Sequence, residues 1–195
     1  QRISSAYLLD LTNTSIRFKA SYGSGFRAPS LYEVDYNAGP WAYPPASSIQ
    51  LKEEKSNGYE YGFEFLARDT VRAEVIFFEQ EINDAIYFDL AGYSGYLQES
   101  GKSKSTGMEF NSSYILSESL TFQANYTYND TERPNGLQRL RRPEQLSNIG
   151  INYQSGSGKL RLNSFYRVSK NSIDERFGSL IDLDDFEVLD ISMSY

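Results

Sequence analysis

Apolar and polar residues alternate with a period of two along most of this chain, and no segment presents a convincing helical face. Leu120, Phe122, Ala124, Tyr126 and Tyr128 alternate with Thr121, Gln123, Asn125, Thr127 and Asn129, so one face is apolar and the other entirely polar. Tyr59, Tyr61, Phe63 and Phe65 alternate in the same way with Gly58, Glu60, Gly62 and Glu64. Near the end, Leu189, Ile191, Met193 and Tyr195 oppose Val188, Asp190, Ser192 and Ser194. Successive side chains of a strand point to opposite faces, so each such segment reads as a two-faced strand. The pattern predicts nine, over residues 2–10, 15–25, 55–67, 71–88, 97–116, 120–130, 145–154, 159–169 and 186–195.

The connections between them alternate between short and long. Leu11–Thr14, Arg68–Thr70, Ser117–Ser119 and Ser155–Gly158 are short, whereas Phe26–Glu54, Asp89–Tyr96, Thr131–Glu144 and Lys170–Asp185 are long. That order places all short turns at one end of an antiparallel up-and-down meander and all long loops at the other, the signature of a transmembrane β-barrel. Strands of ~9–11 residues or more also suit a tilted bilayer crossing. A soluble β-sandwich or lectin-like domain would alternate too, with its apolar faces packed as a core. Two features favour the barrel. The apolar faces are rich in Tyr, as interfacial girdles are, and the polar faces carry Gly and Glu together with many uncharged Asn, Thr, Gln and Ser, as a hydrated lumen would.

Composition narrows the chemistry. With 19 Lys+Arg against 26 Asp+Glu the formal charge is -7, which disfavours nucleic acid as a partner. Absence of Cys removes disulfides and thiolate metal sites. Absence of His removes the usual general base, the usual zinc ligand and every Ser-His or Cys-His pair, so an enzyme is not expected and no catalytic residue is assigned. Mean hydropathy is -0.53 and the longest apolar runs are a few residues, such as Val75 to Phe78, far short of the ~20 that a spanning helix needs. The chain begins at Gln1 rather than Met and shows no signal peptide, so something upstream is expected to have been removed or omitted.

Six segments, in order, resemble stretches of TonB-dependent outer-membrane receptors. The run from Ala20 through Gly23, Gly25, Phe26, Arg27, Ala28 and Pro29 to Glu33 is the first. Leu51-Lys52-Glu53-Glu54-Lys55-Ser56 is similar to the family's L-K-P-E-K-S, with Glu53 where proline is usual. Gly58 to Glu64, Lys104 to Glu109, Leu140-Arg141-Arg142-Pro143 and Phe186 to Asp190 resemble its strand openings. The flavour is that of the vitamin B12 and siderophore receptor group. The resemblance implies a 22-stranded barrel closed around a separate N-terminal plug domain. This chain, residues 1–195, would then be its C-terminal part, roughly strands 12 to 20, with the plug, the early strands and the last strands outside it. Nine is also odd where single-chain bacterial barrels are even, and open edges are not tolerated in lipid. Against truncation, Leu189, Ile191 and Met193 leading to Tyr195 look like an assembly signal at a true C-terminus, which a small complete barrel of eight or ten strands would carry.

The family imports a scarce ligand, an iron–siderophore or cobalamin, with energy from TonB, and the TonB-contacting segment precedes the plug. The resemblance therefore implies a multi-pass outer-membrane location, with outer-membrane lipid and lipopolysaccharide around the wall and no cofactor. Loops carry recognition on a rigid scaffold. Tyr36, Trp41 and Tyr43, held among Pro40, Pro44 and Pro45, are candidates for stacking on a ligand, or they pack the loop on its neighbours. Arg139, Arg141 and Arg142 are candidates for an anionic chelate, or for loop carboxylates or lipopolysaccharide phosphates. Glu60, Glu64 and Glu109 on the polar faces either pair with plug cations or face lumen water. Asp182, Asp184 and Asp185 read as a solvated acidic loop before a cation site. A passive porin shares every composition argument, and a soluble carbohydrate-binding or adhesin domain would purify without detergent.

Overall fold

The computed structural model describes residues 1–195. In chain order the elements are β1 (Arg2–Asp10), β2 (Thr14–Arg27), α1 (Leu31–Ala38), a 3-10 turn (Ala46–Ser48), β3 (Glu54–Ala67) and β4 (Val71–Asn83). Then come β5 (Ile86–Phe88), β6 (Tyr96–Gln98), β7 (Lys102–Ser117), β8 (Leu120–Glu132), β9 (Gln145–Gln154) and β10 (Arg161–Lys170). The last are β11 (Ser172–Arg176), β12 (Ser179–Leu183) and β13 (Phe186–Ser194). Nine strands form one sheet in the order β1-β2-β3-β4-β7-β8-β9-β10-β13, each antiparallel to its neighbours, while β5-β6 and β11-β12 are separate hairpins. The sheet is not closed. Every residue of the edge strands β1 and β13 is exposed.

Register sorts the side chains into two faces. Tyr7, Phe18, Phe63, Val75, Phe110 and Tyr126 lie directly across from one another on six consecutive strands. Arg17, Glu64, Glu74, Asn111, Asn125, Asn148 and Arg167 form an equally continuous row on the opposite face. The apolar face carries Tyr22, Tyr59, Tyr61 and Tyr128 toward the long-loop end and Tyr114, Phe122 and Tyr153 toward the short-turn end. The polar face is concave, with hollows of about 660 and 450 Å³ lined by its residues.

The molecule is inside-out relative to a water-soluble sandwich. Ala46 is the single buried hydrophobic residue, and the two largest fully buried side chains are Glu64 and Ser94. The accessible surface is 13021 Å², against roughly 9,400 Å² for a compact soluble protein of this mass. The soluble sandwich is thereby set aside, because apolar faces that pair with nothing would cost too much in water.

Alternation breaks where Ile76, Phe78 and Phe165 place apolar side chains on the polar face, and each is met by a glycine directly across: Gly62, Gly107 and Gly150. A Cβ on Gly107 would lie 2.0 Å from the Tyr128 carbonyl oxygen and 2.8 Å from Phe78 Cζ. The wall itself therefore requires these glycines.

Three departures from the sequence reading concern the long loops. The expected strands 71–88 and 97–116 are each interrupted, because Asp84 and Gly101 take left-handed backbone conformations (φ 57° and 117°) that end β4 and delay β7. The severed pieces pair as β5-β6. A helix, α1, stands where none was expected, and β11-β12 folds within the last long connection across a two-residue turn at Phe177-Gly178.

Gly107→Val is expected to destabilise the folded wall by about 2 kcal/mol through overpacking, read as a lower urea midpoint by heat-modified gel migration. Gly23→Ser, where the nearest neighbour of a new Cβ is 3.8 Å away, should leave the midpoint unchanged.

Candidate functional site

The long-loop end is organised from the rim upward. Arg27, the last residue of β2, donates from Nε and Nη2 to Glu54 at 2.7 and 2.9 Å, and from Nη1 to both Glu33 oxygens at 3.0 and 3.1 Å. Glu54 also accepts from the Ile86 N–H at 2.6 Å, so one guanidinium ties two wall strands, helix α1 and the β5-β6 hairpin. The helix starts here because Ser30 and Glu33 form a reciprocal capping box, with Ser30 Oγ accepting from Glu33 N and Glu33 accepting from Ser30 N.

The first two long loops fold together as one cap. Asn37 is buried and bridges the Tyr96 backbone in both directions, donating to its carbonyl at 2.7 Å and accepting from its N–H at 2.8 Å. Tyr36, Phe88 and Tyr96 meet edge to face at 5.3–5.7 Å. Tyr43 donates its hydroxyl to the Gly92 carbonyl and its N–H to the Ser94 carbonyl. Gly95 adopts φ 136°, where a Cβ would lie within 3 Å of Asn37 Oδ1 and of the buried Ala46. Of the three aromatic candidates, Tyr36 and Tyr43 hold the cap together, whereas Trp41 stands 76% exposed.

Asp89 closes the cap's inner turn. The Gly92 N–H at 2.8 Å, the Ser94 hydroxyl at 2.7 Å and the N–H groups of Ser94 and Ala91 together hold its carboxyl below the usual carboxylate range. Burial acts against the charge of Glu33, but Arg27 and the Ser30 donors outweigh it and its carboxyl is also held low.

The three arginines separate. Arg141 donates from Nε to Asp174 at 2.9 Å and from its backbone N–H to Ile173, joining the 133–144 loop to the β11-β12 hairpin. Arg142 is exposed, with its carbonyl accepting from Gln138. Arg139 is half-buried without an ion pair, and burial, with Arg142 acting in the same direction, disfavours its charged form. Asp185 accepts from the Asn171 N–H, and no group of three or more acidic residues is placed to hold a metal ion.

On the concave wall the three glutamates also differ. Glu64 is 2% exposed and sits among Arg72 at 2.7 Å, Arg17 at 3.0 Å and Lys19 at 3.2 Å, with Lys19 bridging on to Glu74. Glu60 is exposed and accepts only from Ser21, and Glu109 is exposed without an ion pair; both line the two hollows. Beyond Glu74 the row continues as Asn148 donating to Asn125 and Asn125 donating to Asn111, at 2.9 and 3.2 Å. This ladder was invisible strand by strand, because only register brings the three asparagines into line.

Both loop carboxyls, Asp89 and Glu33, are depressed, so what they contribute is complete above the unperturbed value of about 4 and is lost as pH falls through their lower folded values. Hydrogen-exchange protection across 84–101, corrected for intrinsic rates, should hold from neutral pH to about 4 and fall below it. Asp89→Asn should lower protection already at neutral pH and flatten the profile.

Comparison with known proteins places this geometry. Three solved structures superpose on nearly the whole chain at 18% identity: the copper transporter OprC (TM-score 0.74, 97% of this chain and 30% of that one), the ferripyoverdine receptor of the outer membrane of Pseudomonas aeruginosa (0.71, 98% and 26%) and the ferric yersiniabactin uptake receptor FyuA from Yersinia pestis (0.69, 98% and 29%). At that identity they establish a shared fold. The chain spans less than a third of the length of each. A comparison with curated protein sequences gives no match. The family described as TonB dependent receptor-like, beta-barrel, matches residues 3–195, and so the chain belongs to the TonB-dependent receptor β-barrel family.

Proposed function

We propose that this chain forms the later wall and outer loops of an outer-membrane receptor that imports a scarce metal chelate or cobalamin with energy from TonB. The observation that carries this reading is the inside-out sheet bearing folded loops at one end alone, within a chain of the TonB-dependent family. A passive pore needs no folded cap, whereas a receptor needs a rigid recognition surface. Similar structures are named for copper, ferripyoverdine and ferric yersiniabactin, which favours a metal chelate over cobalamin.

Roles follow from placement. Trp41 offers an exposed ring to the ligand, and Arg139 and Arg142 supply positive charge without a carboxylate partner of their own. Glu60 and Glu109, free on the concave wall, are suited to cations of a plug packed against it, while Glu64 is already satisfied within the wall. TonB would engage a segment preceding that plug. The free edges β1 and β13 would be closed by further strands, since unpaired backbone is not tolerated in lipid. The outward Tyr rows would lie at the two membrane interfaces, with lipopolysaccharide above the upper one.

Under limitation for the ligand, growth on it is expected to require both this protein and TonB. Uptake that persists without TonB would instead identify a passive pore. Trp41→Ala should weaken binding of the transported chelate by about tenfold, the loss of one stacking contact. The membrane placement has its own check. Val75→Arg, in the middle of the outward face, should cost about 2–4 kcal/mol of folding stability in bilayers, and Gln123→Arg, exposed on the concave face, much less.

A further inference from the structure

Two Asn-Gly pairs occur in the chain, Asn57-Gly58 and Asn135-Gly136, and the fold treats them oppositely. In such a pair the side-chain amide is open to attack by the next backbone nitrogen, because glycine puts no side chain in the way. Whether the attack happens depends on how freely that short stretch of backbone can rearrange.

Asn57 and Gly58 lie within β3 and are paired on both sides, with Ser24 and Gly23 on β2 and with Glu81 and Gln80 on β4. Rearrangement there means opening the ladder of the wall, which belongs to the most stable part of a structure. The Asn57 Oδ1 is also buried without any donor.

Asn135 and Gly136 are both exposed, in the third long loop. Arg133 to Gly136 form a turn closed by the Gly136 N–H donating to the Arg133 carbonyl at 2.9 Å, with Pro134 in its second position. Only that one exposed bond holds the Gly136 nitrogen, so local opening is cheap. The Asn135 side chain is already folded back along the Gly136 backbone, since its Oδ1 accepts from the Leu137 N–H at 3.1 Å. That bond places a donor on the oxygen where negative charge develops when Cγ is attacked.

We infer that Asn135 is a site of spontaneous covalent modification, converted to aspartate and isoaspartate through a cyclic imide. The Gly136 nitrogen, its proton given up to solvent, bonds to Asn135 Cγ. The Cγ–Nδ2 bond breaks, and Nδ2 leaves as ammonia with a proton from solvent. Water then opens the ring at one of its carbonyls. One opening leaves an aspartyl side chain, and the other carries the main chain through Cγ and lengthens it by a methylene. No oxidant, reductant or cofactor enters. The product alters the loop in charge and in length. Residues 131–144 hold four arginines and two glutamates, so one new carboxylate halves the loop's net positive charge. The added methylene falls between Arg133 and Leu137, whose N–H and carbonyl pair at 2.7 Å across the same turn.

Protein extracted in detergent from outer membranes is to be incubated at mildly alkaline pH in heavy-oxygen water and then digested in ordinary water. Peptide mass spectrometry reads the heavy oxygen that ring opening leaves at each site, free of conversion during digestion. In the folded protein, conversion at Asn135 should outrun that at Asn57 by about tenfold or more. Unfolding in urea should bring the two rates together, mainly by raising that at Asn57. Asn135→Gln, which keeps an amide at an exposed turn, should abolish the conversion there and the acidic band that grows in isoelectric focusing. Gly136→Ala should slow it by about tenfold by crowding the attacking nitrogen. Heat-modified migration checks that both variants fold. Asn135 left unconverted in the folded protein, or converted no faster than Asn57, overturns the inference. Conversion as fast in Gly136→Ala as in the unsubstituted chain overturns the cyclic route.

Discussion

The register of the nine-stranded ladder governs everything else, because a shift of one residue would turn every side chain to the opposite face. Of 126 backbone hydrogen bonds, 102 lie within helices and strands, so the wall is held almost wholly by main-chain pairing between neighbours. With Ala46 the single buried hydrophobic residue, no apolar core exists to correct a slip. Register instead is fixed by short turns at one end and by side chains that fit only one alignment. Ile76 over Gly62, Phe78 over Gly107 and Phe165 over Gly150 are such fits, each a large residue opposite one without a Cβ.

The concave face provides the second constraint. Glu64 is buried among three cations, and its removal would leave Arg17, Lys19 and Arg72 crowded together without the carboxylate that holds them. These ions come from β2, β3 and β4, so the network staples three strands across the ladder. The asparagine row on β7, β8 and β9 continues it in neutral form. A wall braced within itself this way keeps its shape while Glu60 and Glu109 stay open to whatever fills the concavity.

At the loop end the same economy recurs in miniature. Arg27 joins the wall to the cap, Asn37 joins the cap's two loops, and Arg141 joins the third loop to the fourth. Each is a polar side chain spending its hydrogen-bonding capacity on backbone or carboxylate partners far away in sequence. Trp41 and Phe177, which take no part in these links, stand 76% and 95% exposed.

Period-two alternation gave away the nine wall strands, the order of short and long connections and the two-faced character of the sheet, since these depend on residues one or two apart. The family could be read from six ordered segments for the same reason. Helix α1 escaped because it is inverted: Glu33 and Asn37 point inward while Leu31 and Val34 are exposed, so no apolar stripe announces it, and only Ser30 with Glu33 marked its start. The fate of the candidate residues lay beyond local pattern altogether. Nothing near Arg141 in sequence says that its partner is Asp174, nothing near Glu64 names Arg17 and Arg72, and nothing near Tyr93 brings it to Phe177. Those pairings arise only when register and loop packing bring distant segments together, because the energies that select them are contacts across the fold rather than preferences of neighbouring residues.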